Sequence, residues 1–241
     1  EESKEHGSDS GESCRRLPGI ELAVVLPATN VNSGQSGVRV LMEEHVLPDV
    51  ESPLDPLEDH DCGAVKRSAI RELIRKEKVD FLAIQETKVE TVTPALCYAI
   101  WGGENCQWAS LPASANSGGI SSIWNMSSFS LIFSFICDGF VGVCLEWGAT
   151  KKVCCMVNVY SSCDLMTKRR MWQNLLMSKR GFGGGAWCVL GDFNAVLHRD
   201  ERRGLNQLGT SPLPAEIVEF RDFVTHMDLI DLPLLRRKFT R

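Results

Sequence analysis

Val79-Asp80-Phe81-Leu82-Ala83-Ile84-Gln85-Glu86-Thr87-Lys88 is the stretch from which the fold can be read. Apolar residues dominate 79–84, as in a strand buried on both faces, and the polar run from Gln85 follows without a break. Immediately upstream, Ile70, Leu73 and Ile74 recur at helical spacing among Lys66, Arg67, Arg71, Glu72, Arg75 and Lys76. That spacing predicts an amphipathic helix over 64–77 that lays one stripe on a sheet.

Downstream, short apolar runs predict strands at 119–124, 129–136, 140–147 and 152–159, with Asp138-Gly139 as a tight turn between the second and third of these. Asp164 is placed to cap a helix running to about Arg180, in which Leu165, Trp172, Leu175 and Leu176 share a face. Gly181 to Gly185 end it. Although Gly181-Phe182-Gly183-Gly184-Gly185-Ala186 satisfies G-x-G-x-x-A, it follows a helix and precedes a strand, the reverse of the dinucleotide-binding order, and so reads as a turn. Ala186 to Leu190 form a further strand, and Pro214 opens a last helix with Ile217, Phe220, Phe223, Val224 and Met227 on one side. Helices mixed with several adjacent strands predict a sheet covered by helices, or two sheets packed together.

The charge is unevenly spread. Residues 1–62 hold 14 acidic and 4 basic side chains, a balance of −10, whereas 63–241 hold 17 acidic and 22 basic, a balance of +5. The second segment can therefore face a polyanion despite the net charge of −5. The Glu, Ser, Gly and Lys of 1–18 offer too little apolar surface to offset ordering entropy, which predicts disorder. Leu22 to Leu26 and Val38 to Met42 are each able to form a strand, but their setting reads as linker, so 1–62 is expected to be an acidic, largely disordered tail or linker. The start at Glu1 and the stop at Arg241 lead us to expect a fragment. The 10 cysteines lie on apolar runs such as Val153-Cys154-Cys155-Met156-Val157, form no C-x-x-C pair, and do not cluster with the five histidines. Reduced thiols in an intracellular protein are expected, without structural zinc. No apolar run approaches the ~20 residues that span a bilayer, so no membrane partner is expected.

Three polar constellations follow directly on apolar strands: Gln85-Glu86, Tyr160, and Asp192 with Asn194. Loops at strand C-termini are where α/β folds build sites, so these three signals can converge on one rim. Glu86 is a hard oxygen ligand suited to Mg²⁺. Asp192 is suited to deprotonate or orient a water whose direction the Asn194 amide fixes, and Tyr160 to donate to a phosphate oxygen as charge builds in the transition state. Taken singly, each is an ordinary turn residue or packed aromatic. Only the ordered set points to chemistry.

The blocks Lys66-Arg67-Ser68-Ala69-Ile70-Arg71, Val79 to Lys88, Asn116-Ser117-Gly118-Gly119-Ile120 leading to Trp124, Asn158-Val159-Tyr160, Gly191-Asp192-Phe193-Asn194 with Glu201-Arg202-Arg203-Gly204, and Leu229 to Thr240 resemble, in order, the endonuclease domain of plant LINE-type retrotransposons. That domain belongs to the endonuclease/exonuclease/phosphatase superfamily and is related to apurinic/apyrimidinic endonucleases. The resemblance covers about 64 to 240.

It implies a four-layer α/β sandwich of two packed mixed sheets, truncated at both ends, with 63–241 as an incomplete domain. It also implies Mg²⁺-dependent phosphodiester hydrolysis of DNA (Mn²⁺ being an alternative metal) and a nuclear location. Glu86 then matches the metal-binding Glu, Tyr160 the active-site Tyr, Asp192 and Asn194 the water-activating Asp and its partner, with Lys88 and Arg203 as DNA-facing candidates. Two motifs of the family are missing. Pro56 to Cys62 stands where a metal-binding Asn is expected, and the chain stops before a Ser-Asp-His motif. Loss of one transition-state donor costs about 10² to 10³ in rate, so little or no nuclease activity is expected. Two rivals stand beside this: a phosphatase of the same superfold, and a non-catalytic remnant that binds nucleic acid through its cationic segment.

Overall fold

The computed structural model describes residues 20–27, 38–45, 59–114, 118–201 and 213–231, with 20–27, 38–45 and 59–64 described for their backbone. The disorder expected of 1–18, Arg203, and the block from Leu232 to Thr240 lie outside the described residues.

Two sheets pack face to face. The first runs β2 (Val38–His45), β1 (Ile20–Pro27), β3 (Phe81–Gln85), β5 (Ile120–Asn125), β4 (Cys106–Leu111), and every described pairing in it is antiparallel. The second runs β6 (Phe129–Cys137), β7 (Phe140–Trp147), β8 (Lys152–Tyr160), β9 (Ala186–Asp192), and it alone is mixed, because β9 lies parallel to β8. Asp138-Gly139 is the two-residue turn expected between β6 and β7.

The pleat sorts the core into layers. From β3, Phe81 and Ala83 face the second sheet and meet Trp124, Val143, Leu145 and Met156. Leu82 and Ile84 point the other way, against Ile70, Leu73 and Ile74 of α1 (Asp59–Glu77) and Cys97 of α2 (Pro94–Trp101). On the far side, Trp172 and Leu175 of α3 (Leu165–Phe182) pack with Phe220 and Phe223 of α4 (Ala215–His226) over Val157 and Val159. Helices, sheet, sheet and helices make the expected four layers. Among the described residues no helix is long and apolar enough to cross a membrane.

Three expectations change. Within 1–62, taken as tail or linker, Ile20–Pro27 and Val38–His45 form an antiparallel pair, and β1 also pairs with β3, Leu22 opposite Ile84. Two apolar stretches separated by an Asn, Ser and Gly run are the pattern of a hairpin, and an open edge on β3 accepts one of them. The first helix begins at Asp59, before the apolar stripe that marked it. Finally α2 and β4 lie where no element was expected. The Thr93 hydroxyl caps α2 by accepting from the Leu96 amide at 3.3 Å, Pro94 opens it, and Gly102 closes it in the left-handed region.

Candidate active site

The strand β3 is buried over its whole length, and the backbone leaves it by an unusual route. Glu86 and Lys88 have φ of 51° and 53°, in the left-handed region that side chains disfavour. The turn is held by main-chain bonds: Thr87 N–H donates to the Gly119 carbonyl at 3.2 Å and Lys88 N–H to that of Gly118 at 3.0 Å. Gly119 cannot carry a side chain, because a Cβ there would stand 2.3 Å from Thr87 Oγ1 at a φ of 86°. This is the physical role of the Gly118-Gly119 pair. It fixes the segment that presents Glu86.

Tyr160 and Asp192 arrive from the second sheet. Because β8 and β9 are parallel and in register, with Tyr160 beside Asp192, both strands deliver their last residues to the same rim. The Tyr160 hydroxyl donates to Glu86 Oε1 at 2.5 Å, joining the two sheets at that rim. Its main-chain N–H is held by the Gly139 carbonyl at 2.8 Å. Asp192 Oδ1 accepts from the Asn194 main-chain N–H at 2.7 Å, and Asn194 sits in the left-handed region with φ 49°. The side-chain amide of Asn194, expected to orient a water with Asp192, donates instead to the Ser161 carbonyl at 2.5 Å. The turn at Asn194 thus spends its side chain on bracing the loop after Tyr160, and its backbone on Asp192. Glu86, Tyr160, Asp192 and Asn194 are brought together; Lys88 is exposed on the adjoining turn.

Residues 29–235 match the Endonuclease/Exonuclease/phosphatase family. The chain belongs to that family. Solved structures similar to it include the human Nocturnin catalytic domain with bound sulfate (19% identity, 54% of this chain and 57% of that one, TM-score 0.43). An AP endonuclease from Leishmania major (15%, 68% and 62%, 0.47) and an endonuclease/exonuclease/phosphatase from Bacteroides vulgatus (14%, 61% and 64%, 0.47) are also similar. The chain spans less than two thirds of each of these. No curated protein matches it.

Members of the endonuclease/exonuclease/phosphatase family generally depend on a divalent metal. Among the described residues no three of His, Cys, Asp or Glu gather closely enough to hold one. The carboxylate of Glu86 is of the hard-oxygen type that Mg²⁺ takes, since that ion binds through one or two carboxylates and keeps water and substrate phosphate for its other positions. Beside Tyr160 lies an open cavity of about 360 Å³ bordered by Gly139, Ser161, Cys163 and Thr167; Glu86 and Asp192 do not line it.

Three positioning residues of this family member were given no role from sequence. Gln85 and Asn158, both fully buried, meet between the sheets: Gln85 Nε2 donates to Asn158 Oδ1, and Asn158 Nδ2 donates to the carbonyls of Ser121 at 3.0 Å and Ile84 at 3.3 Å. Each is one or two residues from Glu86 or Tyr160, so the amide pair sets how the two sheet ends face each other. Lys168 is 2% exposed; its Nζ donates to the Asn194 carbonyl at 2.5 Å and pairs with Glu216 of α4. The available signal was a cation at 168 on the stripe of Leu165, Trp172 and Leu175, where an unpaired charge would be costly.

Proposed function

We propose that this chain is built for Mg²⁺-dependent hydrolysis of DNA phosphodiesters, as an endonuclease of retrotransposon origin working in the nucleus. The observation that carries the reading is the meeting of Glu86, Tyr160 and Asp192 at one rim, each from the end of a different strand. Glu86 would hold the metal, whose contribution is to neutralise charge on the substrate phosphate. Asp192, whose carboxylate is oriented by the Asn194 main-chain N–H, would take a proton from an attacking water. The Tyr160 hydroxyl sits where it can turn from Glu86 to a phosphate oxygen as charge develops there. Lys88, and Arg203 beyond the described residues, suit the neighbouring backbone phosphates of DNA. The ordered blocks from Lys66 to Thr240 support the retroelement origin.

Pro56 to Cys62 stands where the resemblance implies a metal-binding Asn, so these 241 residues are expected to show little or no cleavage. Nicking of supercoiled and abasic plasmid over long incubation tests both statements. Weak nicking that EDTA abolishes and that Asp192→Asn lowers by about 10² supports the assignment. Nicking indifferent to EDTA and to that substitution refutes it, and rapid EDTA-sensitive nicking refutes the impairment.

A further inference from the structure

Beside Glu86, on the helix side of the first sheet, lies a second cavity of about 250 Å³. Its floor is apolar, formed by Ile70 of α1, Leu96 and Ile100 of α2, and Ile84 and Ile123 of the sheet. Its lining also carries three cations, Lys66, Arg67 and Lys88, against the one carboxylate of Glu86. The three are exposed or half-buried while Ile70, Ile84 and Ile123 are buried, so the charges stand at the mouth.

We propose that this cavity seats one unstacked nucleobase of a nucleic-acid strand whose adjoining phosphates lie along Lys66, Arg67 and Lys88. The inference rests on the reading of the Glu86 rim as a phosphodiester site. A bare phosphate would gain nothing from the isoleucine floor, and an uncharged apolar molecule would gain nothing from the cations. The volume lies below the range of pockets that enclose drug-sized ligands, which suits a single ring and excludes a long acyl chain. Bases inside a duplex are stacked out of reach, so the strand that fits is single-stranded, or has its base extruded at the point of attack. Since Glu86 borders both the cavity and the Tyr160 contact, a base held here places its own phosphate at the rim.

The test compares two fluorescent strands of equal length and charge, an oligothymidylate and a fully abasic strand, by anisotropy in EDTA so that neither is cut. The unaltered protein is expected to bind the thymidylate about tenfold more tightly. Leu96→Trp fills the cavity from α2 and Val92→Trp from the loop before it, and each should bring the two affinities together. The pair Lys66→Gln with Arg67→Gln should weaken both strands alike. Circular dichroism shows which variants fold, and Val92→Trp, lying outside helix and strand, keeps the test open if Leu96→Trp does not. Equal affinities in the unaltered protein overturn the base seat and leave the phosphodiester reading standing. A preference for thymidylate that survives the tryptophan variants also overturns it, and binding of neither strand overturns both.

Discussion

Replacing Lys168 by Met should cost this protein about 3 kcal/mol, and the reason is local. The ammonium is 2% exposed and serves two acceptors at once, the Asn194 carbonyl and the Glu216 carboxylate. Removing one partner of a buried pair typically costs about 3–5 kcal/mol, because the other charge is left without compensation. Glu216 retains 20% of its side-chain exposure, so water recovers part of the loss and the lower end applies. With a urea slope of about 2 kcal/mol/M, the midpoint should move down by about 1.5 M. Met has about the length of Lys without its charge, which isolates the electrostatic part. Adding Glu216→Gln to Lys168→Met neutralises the carboxylate that the ammonium served, so the double variant should recover part of the stability lost by the single one. Urea unfolding followed by tryptophan fluorescence gives all three values. A cost below about 1 kcal/mol for Lys168→Met, or a double variant less stable than the single, would refute the reasoning.

Gly191→Ala should cost about 3 kcal/mol in the same assay, since its Cβ would lie 2.1 Å from the Val159 carbonyl oxygen at a φ of 118°; a loss under about 1 kcal/mol would mean that β8 and β9 separate easily. Hydrogen bonds from the Thr167 main-chain N–H and hydroxyl hold the Asp164 carboxyl below its usual range, and those from Arg169 do the same for Glu219. Both native values are depressed, so the stability they contribute is complete above the usual carboxylate range and is lost as pH falls below it through the lowered values. Thermal unfolding from neutral to acidic pH should show that decline, and Asp164→Asn, which still caps α3, should make it shallower. Burial pushes Cys97, Cys155 and Cys188 up to about 12 and Cys106 and Cys154 to about 11, so mild alkylation of the native protein should mark exposed Cys163 first among the described cysteines. Peptide mapping that finds Cys154 or Cys155 labelled as fast would contradict that.

The elements legible in the sequence are those whose burial follows a simple period. The stripe of Ile70, Leu73 and Ile74, the runs that became β5 to β9, and the caps at Asp164 and Pro214 each announce themselves within a few residues. The strand β4 does not, because Cys106-Gln107-Trp108-Ala109-Ser110-Leu111 mixes polar and apolar residues on an edge that is half-buried on both faces. β1 and β2 were visible as stretches but not as parts of a sheet, since what recruits β1 is the open side of β3, far along the chain. At the site the ligand types were readable from strand ends, while their bracing was not. Nothing near Asn194 in the sequence says that its side chain is bonded to Ser161, or that its carbonyl rests on Lys168. Those are contacts across 33 and 26 positions, set by the parallel register of β8 and β9 and by the packing of α3.

The bond between Gln85 and Asn158 has a consequence for how this domain can vary. It crosses the interface of the two sheets one residue from Glu86 and two from Tyr160, so the carboxylate and the hydroxyl can meet only while the sheets keep one lateral alignment. Any exchange of core residues that lets one sheet slide past the other would part them before it unfolded anything. Chemistry at the rim is in that sense a gauge of fit in the interior, and substitutions among Phe81, Trp124 and Met156 should be felt in the reaction sooner than in the melting curve.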